Sequence, residues 1–208
     1  MKTARRFGVL TAATGLWLAL GGMTQAETIV RKSVSYFQIG GTTAEDLDRE
    51  LERRGPTTRA SGSRHPGATQ IKFGGELDYV QSAGRCRIGN VDVTLDTRII
   101  LPQWKNRKRA KGDLALIWDA LSSDIKRHEE RHAEIARQYA RQLERTLKKL
   151  RPQRNCDAMQ AKVAEATDRV IAAHDTAQMD FDRVEAVNFE NRMMRILEYR
   201  AGQNTPKN

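Results

Sequence analysis

Beyond an N-terminal apolar run that ends near Gly21, the chain has no segment apolar enough to cross a membrane, so the remainder is expected to be soluble. Cysteine is held to two positions, Cys86 and Cys156. Neither comes directly after the apolar run, which leaves no attachment point for a lipoprotein anchor. Aromatic residues amount to 6% and do not interleave with the basic ones, so the stacking platforms that hold single-stranded nucleic acid are missing. No internal repeat is present. Positive charge is also in modest excess: residues 1–26 carry Lys2, Arg5 and Arg6 and no acid, so without them the net charge falls from +10 to +7. That bias is too mild to indicate a nucleic-acid partner.

What is present at the N-terminus, MKTARRFGVLTAATGLWLALGGMTQAE, is a basic tip, an apolar stretch from Phe7 and the small residues Thr24 and Ala26 around a cleavage position. This reads as a signal peptide over 1–26, cut near Ala26, for a periplasmic or secreted protein with no stable membrane insertion after cleavage. Residues 27–200 then form one domain, and 201–208 a disordered tail. In an oxidising compartment Cys86 and Cys156 are expected to pair. The alternatives are zinc ligation by one of them or two buried thiols. The bridge would close a loop of about 70 residues, worth about 4 kcal/mol of chain entropy.

Residues 28–39 alternate and carry β-branched and aromatic side chains, a strand ended by Gly40-Gly41. Thr42 or Thr43 can cap a short helix bearing Leu47 and Leu51, stopped at Gly55-Pro56. Residues 57–68 form a polar loop holding His65. Residues 69–80 and 85–102 read as two or three antiparallel strands with turns at Gly74-Gly75, Gly84 and Gly89-Asn90. A basic connection comes next at 105–111, with Lys105, Arg107, Lys108, Arg109 and Lys111, which can meet an anionic envelope polymer but reads equally as a solvated loop.

From Asp113 the period changes to three and four residues: Leu114, Ile117, Leu121, Ile125, His128, His132, Ile135 and Tyr139, with Leu143, Leu147 and Leu150 continuing. A second helix starts near Asn155 and runs to about Tyr199, with an apolar stripe through Met159, Val163, Ala166 and Val170. The fold class predicted is α+β: a small antiparallel β-sheet with a short helix, packed on a long antiparallel helical hairpin.

The first of these helices carries His128-Glu129-Glu130-Arg131-His132, the H-E-x-x-H arrangement. Residues four apart stack on one helix face, so both imidazoles can aim a nitrogen at one zinc ion. Glu129, turned about 100° away, is placed to act as general base on a water there. Both histidines continue the apolar stripe, and two buried imidazoles without a partner would be costly. A metal relieves that cost; hydrogen bonds to acids are the plainer alternative. The extended form of the motif is excluded, because Ile135 and Gln138 occupy its glycine and histidine places. An even hairpin turn around 151–154 sets positions 173–177 opposite 128–132. His174 is therefore the leading third ligand, with Asp175, Asp168, Asp182 or no ligand as alternatives.

The order of the strand over 36–41, Arg54-Gly55-Pro56, Cys86, Leu101-Pro102-Gln103-Trp104, Trp118 and the H-E-x-x-H motif resembles a bacterial domain-of-unknown-function family described as predicted secreted zinc-dependent proteases. The resemblance spans roughly residues 30–185. It implies a metallopeptidase acting on protein or peptide substrates with one zinc ion per chain. Members end with an aromatic-Asp pair, matched by Phe181-Asp182, and a His-Gly step, whose place is taken here by Val187-Asn188. The function expected is a secreted or periplasmic zinc metallopeptidase with Glu129 as base and His128, His132 and His174 as ligands. Tyr36, His65 and Tyr139 have the chemistry to steady an oxyanion. The competing expectation is an envelope binding protein whose loop 105–111 meets an anionic partner and whose metal site is vestigial or structural.

Overall fold

A computed structural model describes residues 28–58 and 62–204. The segment read as a signal peptide, 1–26, and the tail residues 205–208 lie outside the described residues. The elements are β1 (Ile29–Ile39), α1 (Ala44–Arg54), β2 (Ala68–Ser82), β3 (Arg85–Trp104), α2 (Gly112–Lys148) and α3 (Cys156–Asn204). The α+β class is as expected, and no helix among the described residues is long and apolar enough to cross a membrane.

β3 is the central strand of a three-stranded sheet ordered β1-β3-β2. Its alternate side chains Val91, Val93, Leu95, Ile99 and Leu101 are buried, as the two-residue period of a strand requires. Val91, Val93 and Leu95 pack with Ala136, Ala140, Leu143 and Leu147 of α2 and with Met159, Val163, Ala166 and Val170 of α3, while Ile99 and Leu101 pack with Ile125 and Ala133 of α2. α1 closes one end: Thr43 caps it by accepting from Asp46 N–H, and Leu47 and Leu51 pack on Ile39, Trp104 and Trp118.

Two expectations about the sheet are corrected. It is mixed rather than antiparallel, because β1 pairs parallel with β3. Ile39 pairs with Trp104 and Ala68 with Ile100, so β1 ends and β2 begins at the same end of β3. α1 and its loop only have to pass over that end, and β3 fills the gap between. Gly74-Gly75 and Gly89-Asn90 are not turns but lie inside long strands. A Cβ on Gly75 would sit 2.2 Å from the Asp92 carbonyl oxygen, so glycine there permits a close backbone approach. The one reversal is at Ala83 and Gly84, with φ of 49° and 73°, the paired positive angles of a type I′ hairpin turn.

The helices form the expected hairpin. Asn155 caps α3 by accepting from Ala158 N–H at 2.8 Å. α3 continues to Asn204, so residues 201–204 of the expected tail are helical. Cys86 and Cys156 are bonded, with Cα atoms 5.0 Å apart. Beside the bridge, Cys86 and Gln153 exchange backbone hydrogen bonds of 2.9 and 2.8 Å.

Candidate metal centre

α2 is buried on two flanks, which separates the residues of its motif. Ile125, Glu129 and Ala133 recur every four residues and face the sheet, where Ile125 and Ala133 meet Ile99 and Leu101. His128 and His132 lie on the neighbouring flank, against α3. The two imidazoles meet Asp182 there. His128 Nε2 and His132 Nε2 are 3.0 Å apart, and Asp182 Oδ1 is 3.3 Å from the first and 2.9 Å from the second.

All three donor atoms fall within 4.8 Å of one another. A tetrahedral zinc ion with ligands at about 2.0–2.1 Å places them about 3.3–3.4 Å apart, so the cluster need open only slightly to fit one. Phe181 walls the centre, its ring stacked on His128 and edge-on to His132 with centroids 5.0 Å away in each case. Burial pushes the His128 pKa down and the neighbouring His132 adds to this, against the pull of Asp182 and Glu185. The neutral ring that a cation needs is thereby favoured. Asp182 is exposed, so the cluster opens to solvent on that side.

His174 is not among the converging atoms. Asp182 and Gln178 stand level with His128 and His132, five residues further along α3 than an even turn gives, or about 7.5 Å of helix. The connection 149–155 is drawn out along β3 by the Cys86–Gln153 pairing and the disulfide before α3 begins. His174 lies farther back, buried between the rings of Phe73 (5.0 Å) and Tyr139 (5.6 Å). Its Nδ1 is 3.0 Å from Asp175 Oδ1 and its Nε2 is 2.8 Å from Gln178 Nε2. Asp168 is exposed two turns away on α3.

Glu129 is 5% exposed. Thr69 Oγ1, at the start of β2, lies 2.8 Å from its Oε2 and 2.9 Å from its backbone oxygen. Thr69 is the donor to both, so its proton is shared between the carboxylate and the carbonyl oxygen. Burial pushes the Glu129 pKa up, opposed by Thr69 and His132 and reinforced by Asp182. Gly67 lets the loop press on this carboxyl: a Cβ there would come within 2.7 Å of Ile125 Cγ2 and 3.0 Å of Glu129 Oε1.

A charged cluster braces the other end of the site. Arg192 spans both oxygens of buried Asp124 at 2.8 and 3.2 Å, Arg127 bonds Asp124 at 3.0 Å and pairs with Glu185, and Glu185 Oε2 lies 3.7 Å from His128 Nδ1. Burial alone would raise the Asp124 pKa, but the bonds from Arg192 and Arg127 hold it below the usual range. Gln178, Glu185, Asp124 and Thr69 were not singled out from the sequence. A signal for the first two exists: beyond Val170, positions 174, 178, 182 and 185 continue the apolar stripe of α3 at helical spacing with polar residues.

The remaining candidates lie elsewhere. Tyr36 is exposed on β1, at the opposite sheet edge from Thr69, and His65 sits in the loop before β2. Of the basic connection, Arg107 is paired with Asp119, while Lys105, Lys108, Arg109 and Lys111 are exposed. A family model described as a bacterial protein of unknown function matches residues 34–189, from within β1 to just beyond Glu185. No curated protein matches the chain, and no solved structure does.

Proposed function

The chain belongs to the DUF922 family of bacterial proteins of unknown function, and within it we propose that this protein is a zinc-dependent peptidase of the periplasm or extracellular space. One observation carries the reading: two imidazole nitrogens and a carboxylate oxygen, held by two different helices, converge on one solvent-facing point beside a buried glutamate. Three protein ligands with an open side is the arrangement of catalytic rather than structural zinc.

His128 and His132 would hold the ion through Nε2 and Asp182 through Oδ1. When bound, zinc supplies a Lewis acid that polarises a carbonyl and lowers the pKa of water. Glu129 then takes up the proton that the attacking water loses and returns it to the leaving amine. Its raised pKa suits a group that must both accept and release a proton, and a cation alongside favours the ionised form that begins the cycle. Thr69 keeps the carboxyl on the sheet side, and Phe181 shields the imidazoles from bulk water.

The test is elemental analysis of the mature chain purified without chelator, alongside His132→Ala. About one zinc per chain in the parent and none in the variant is expected; no stoichiometric metal in the parent sinks the reading. Glu129→Gln should keep the metal and lose peptide hydrolysis. Amino-terminal sequencing of protein recovered from a periplasmic extract should begin just after Ala26.

A further inference from the structure

We propose that Asp175, His174 and Gln178 form an orienting chain that locks His132 in the tautomer with its proton on Nδ1, and so aims the Nε2 lone pair at the metal point. His174 is then a positioning residue and not a ligand. The proposal rests on the zinc reading for its consequence, while the tautomer itself is a property of the metal-free protein.

The polarity of the chain is fixed at two places by groups that can only accept. The Gln178 side-chain amide nitrogen lies 3.1 Å from the His132 backbone oxygen, so its NH2 group must face that way; a flipped amide would set oxygen against oxygen. With the nitrogen so placed, the Gln178 Oε1 faces His132 Nδ1, which must therefore carry a proton and donate it. The second N–H of the amide points to His174 Nε2 at 2.8 Å, which must be unprotonated to accept. That leaves the His174 proton on Nδ1, where Asp175 Oδ1 accepts it at 3.0 Å. Every donor and acceptor along the line is used.

The consequence falls on the far nitrogen. His132 Nε2 presents a lone pair toward Asp182 Oδ1, 2.9 Å away, and toward His128 Nε2, 3.0 Å away. Among the described groups, Glu185 is the one that faces His128 Nδ1, which favours a proton there and a second lone pair at the centre. Lone pairs brought together at such distances repel unless a cation stands among them. A free histidine side chain prefers its proton on Nε2, which would block this point, so the preference has to be overturned by hydrogen bonding. His174 supplies the outer anchor because it is itself immobilised between Phe73 and Tyr139.

Nitrogen-15 NMR of histidine side chains in the chelator-treated mature chain reads the tautomer directly. The parent is expected to show His132 with Nε2 unprotonated and Nδ1 protonated. Gln178→Leu should move His132 toward the Nε2-protonated form and weaken zinc binding roughly 10–100-fold, as loss of a ligand's outer partner does. Gln178→Glu, which keeps an acceptor for Nδ1–H, should restore the parent tautomer. Loss of packing alone would not separate these two variants. An Nε2-protonated His132 in the parent, or an unchanged tautomer in folded Gln178→Leu, overturns the proposal. If zinc fails to bind the parent while the tautomers behave as stated, the peptidase reading falls and the orienting chain stands.

Discussion

Asp182 Oδ1 reaches the Nε2 atoms of both His132 and His128 from the facing helix, at 2.9 and 3.3 Å. His174, two turns earlier on the same stripe, reaches neither. The two residues therefore differ in what their removal does. Asp182→Ala should weaken zinc binding beyond the roughly 100-fold that marks the upper range for an outer partner, whereas His174→Ala should stay within about 10–100-fold. Competition of a chromophoric chelator for zinc measures both. Equal losses would mean that His174 enters the coordination shell.

Glu129 gives a pH signature in the metal-free protein. Its folded pKa is raised above the ordinary value of 4.5, so the folded state binds the proton more tightly than the unfolded chain. The stability this contributes is full below 4.5 and is lost as pH rises through the folded pKa. Urea melts of the chelated parent should show that decline above pH 4.5, and Glu129→Gln should flatten it and be the more stable protein at pH 7. A parent whose stability rises over that window would contradict a carboxyl pKa raised by burial.

Gly67→Ala tests the pressure of the loop on the site. The added methyl group must displace Ile125 and Glu129, so a loss of about 1–3 kcal/mol is expected, with hydrolysis falling in the fully folded, zinc-loaded variant. Gly202→Ala, with nothing within 4 Å of its Cβ, is the control and should gain up to about 1 kcal/mol from helix propensity.

Asp124→Ala removes the most buried acid of the cluster and leaves Glu185 as the one acid between Arg192 and Arg127 among the described residues. The expected cost is about 3–5 kcal/mol, against under about 1 kcal/mol for breaking the exposed Arg183–Asp180 pair. Denaturant midpoints of the two variants distinguish these outcomes.

Ala83→Gly should stabilise by about 0.5–1 kcal/mol, because φ of 49° strains a side chain with a Cβ at that turn. A shift of the denaturation midpoint at constant slope is the readout.

Periodicity carried much of this into view from the sequence. The step from a two-residue to a three-and-four-residue spacing near Asp113 separates sheet from hairpin, and the interval between His128 and His132 places both rings on one face. Position across the hairpin was not legible. An even turn sets His174 near the metal point, but the drawn-out connection beside Cys86 shifts α3 by five residues and brings up Asp182. The parallel pairing of β1 was hidden for a related reason: register between distant segments depends on how a connection runs, which residue spacing within each segment does not encode. Glycine spacing misled in the same way, since Gly75 serves an approach of two backbones and not a turn. Gln178 stood on a visible stripe, but an amide gives no sign of its partner until the second helix is in place.

The link between Cys86 and Cys156 lies at the first residue of α3, and Asp182 stands midway along that helix, 26 residues on, or about 39 Å of helix. A helix transmits an axial displacement almost undiminished, so a slip at this anchor becomes a misplaced carboxylate at Asp182. Under the zinc reading, the bond would then act as a gauge block for coordination, set by the redox state of the surroundings. A chain held under reducing conditions has only core packing to keep that setting, and in a Cys86→Ser, Cys156→Ser variant the zinc affinity should fall along with roughly 2–4 kcal/mol of stability. Under the proposed export, formation of this bond in an oxidising space would complete the fold and calibrate the site in a single chemical step.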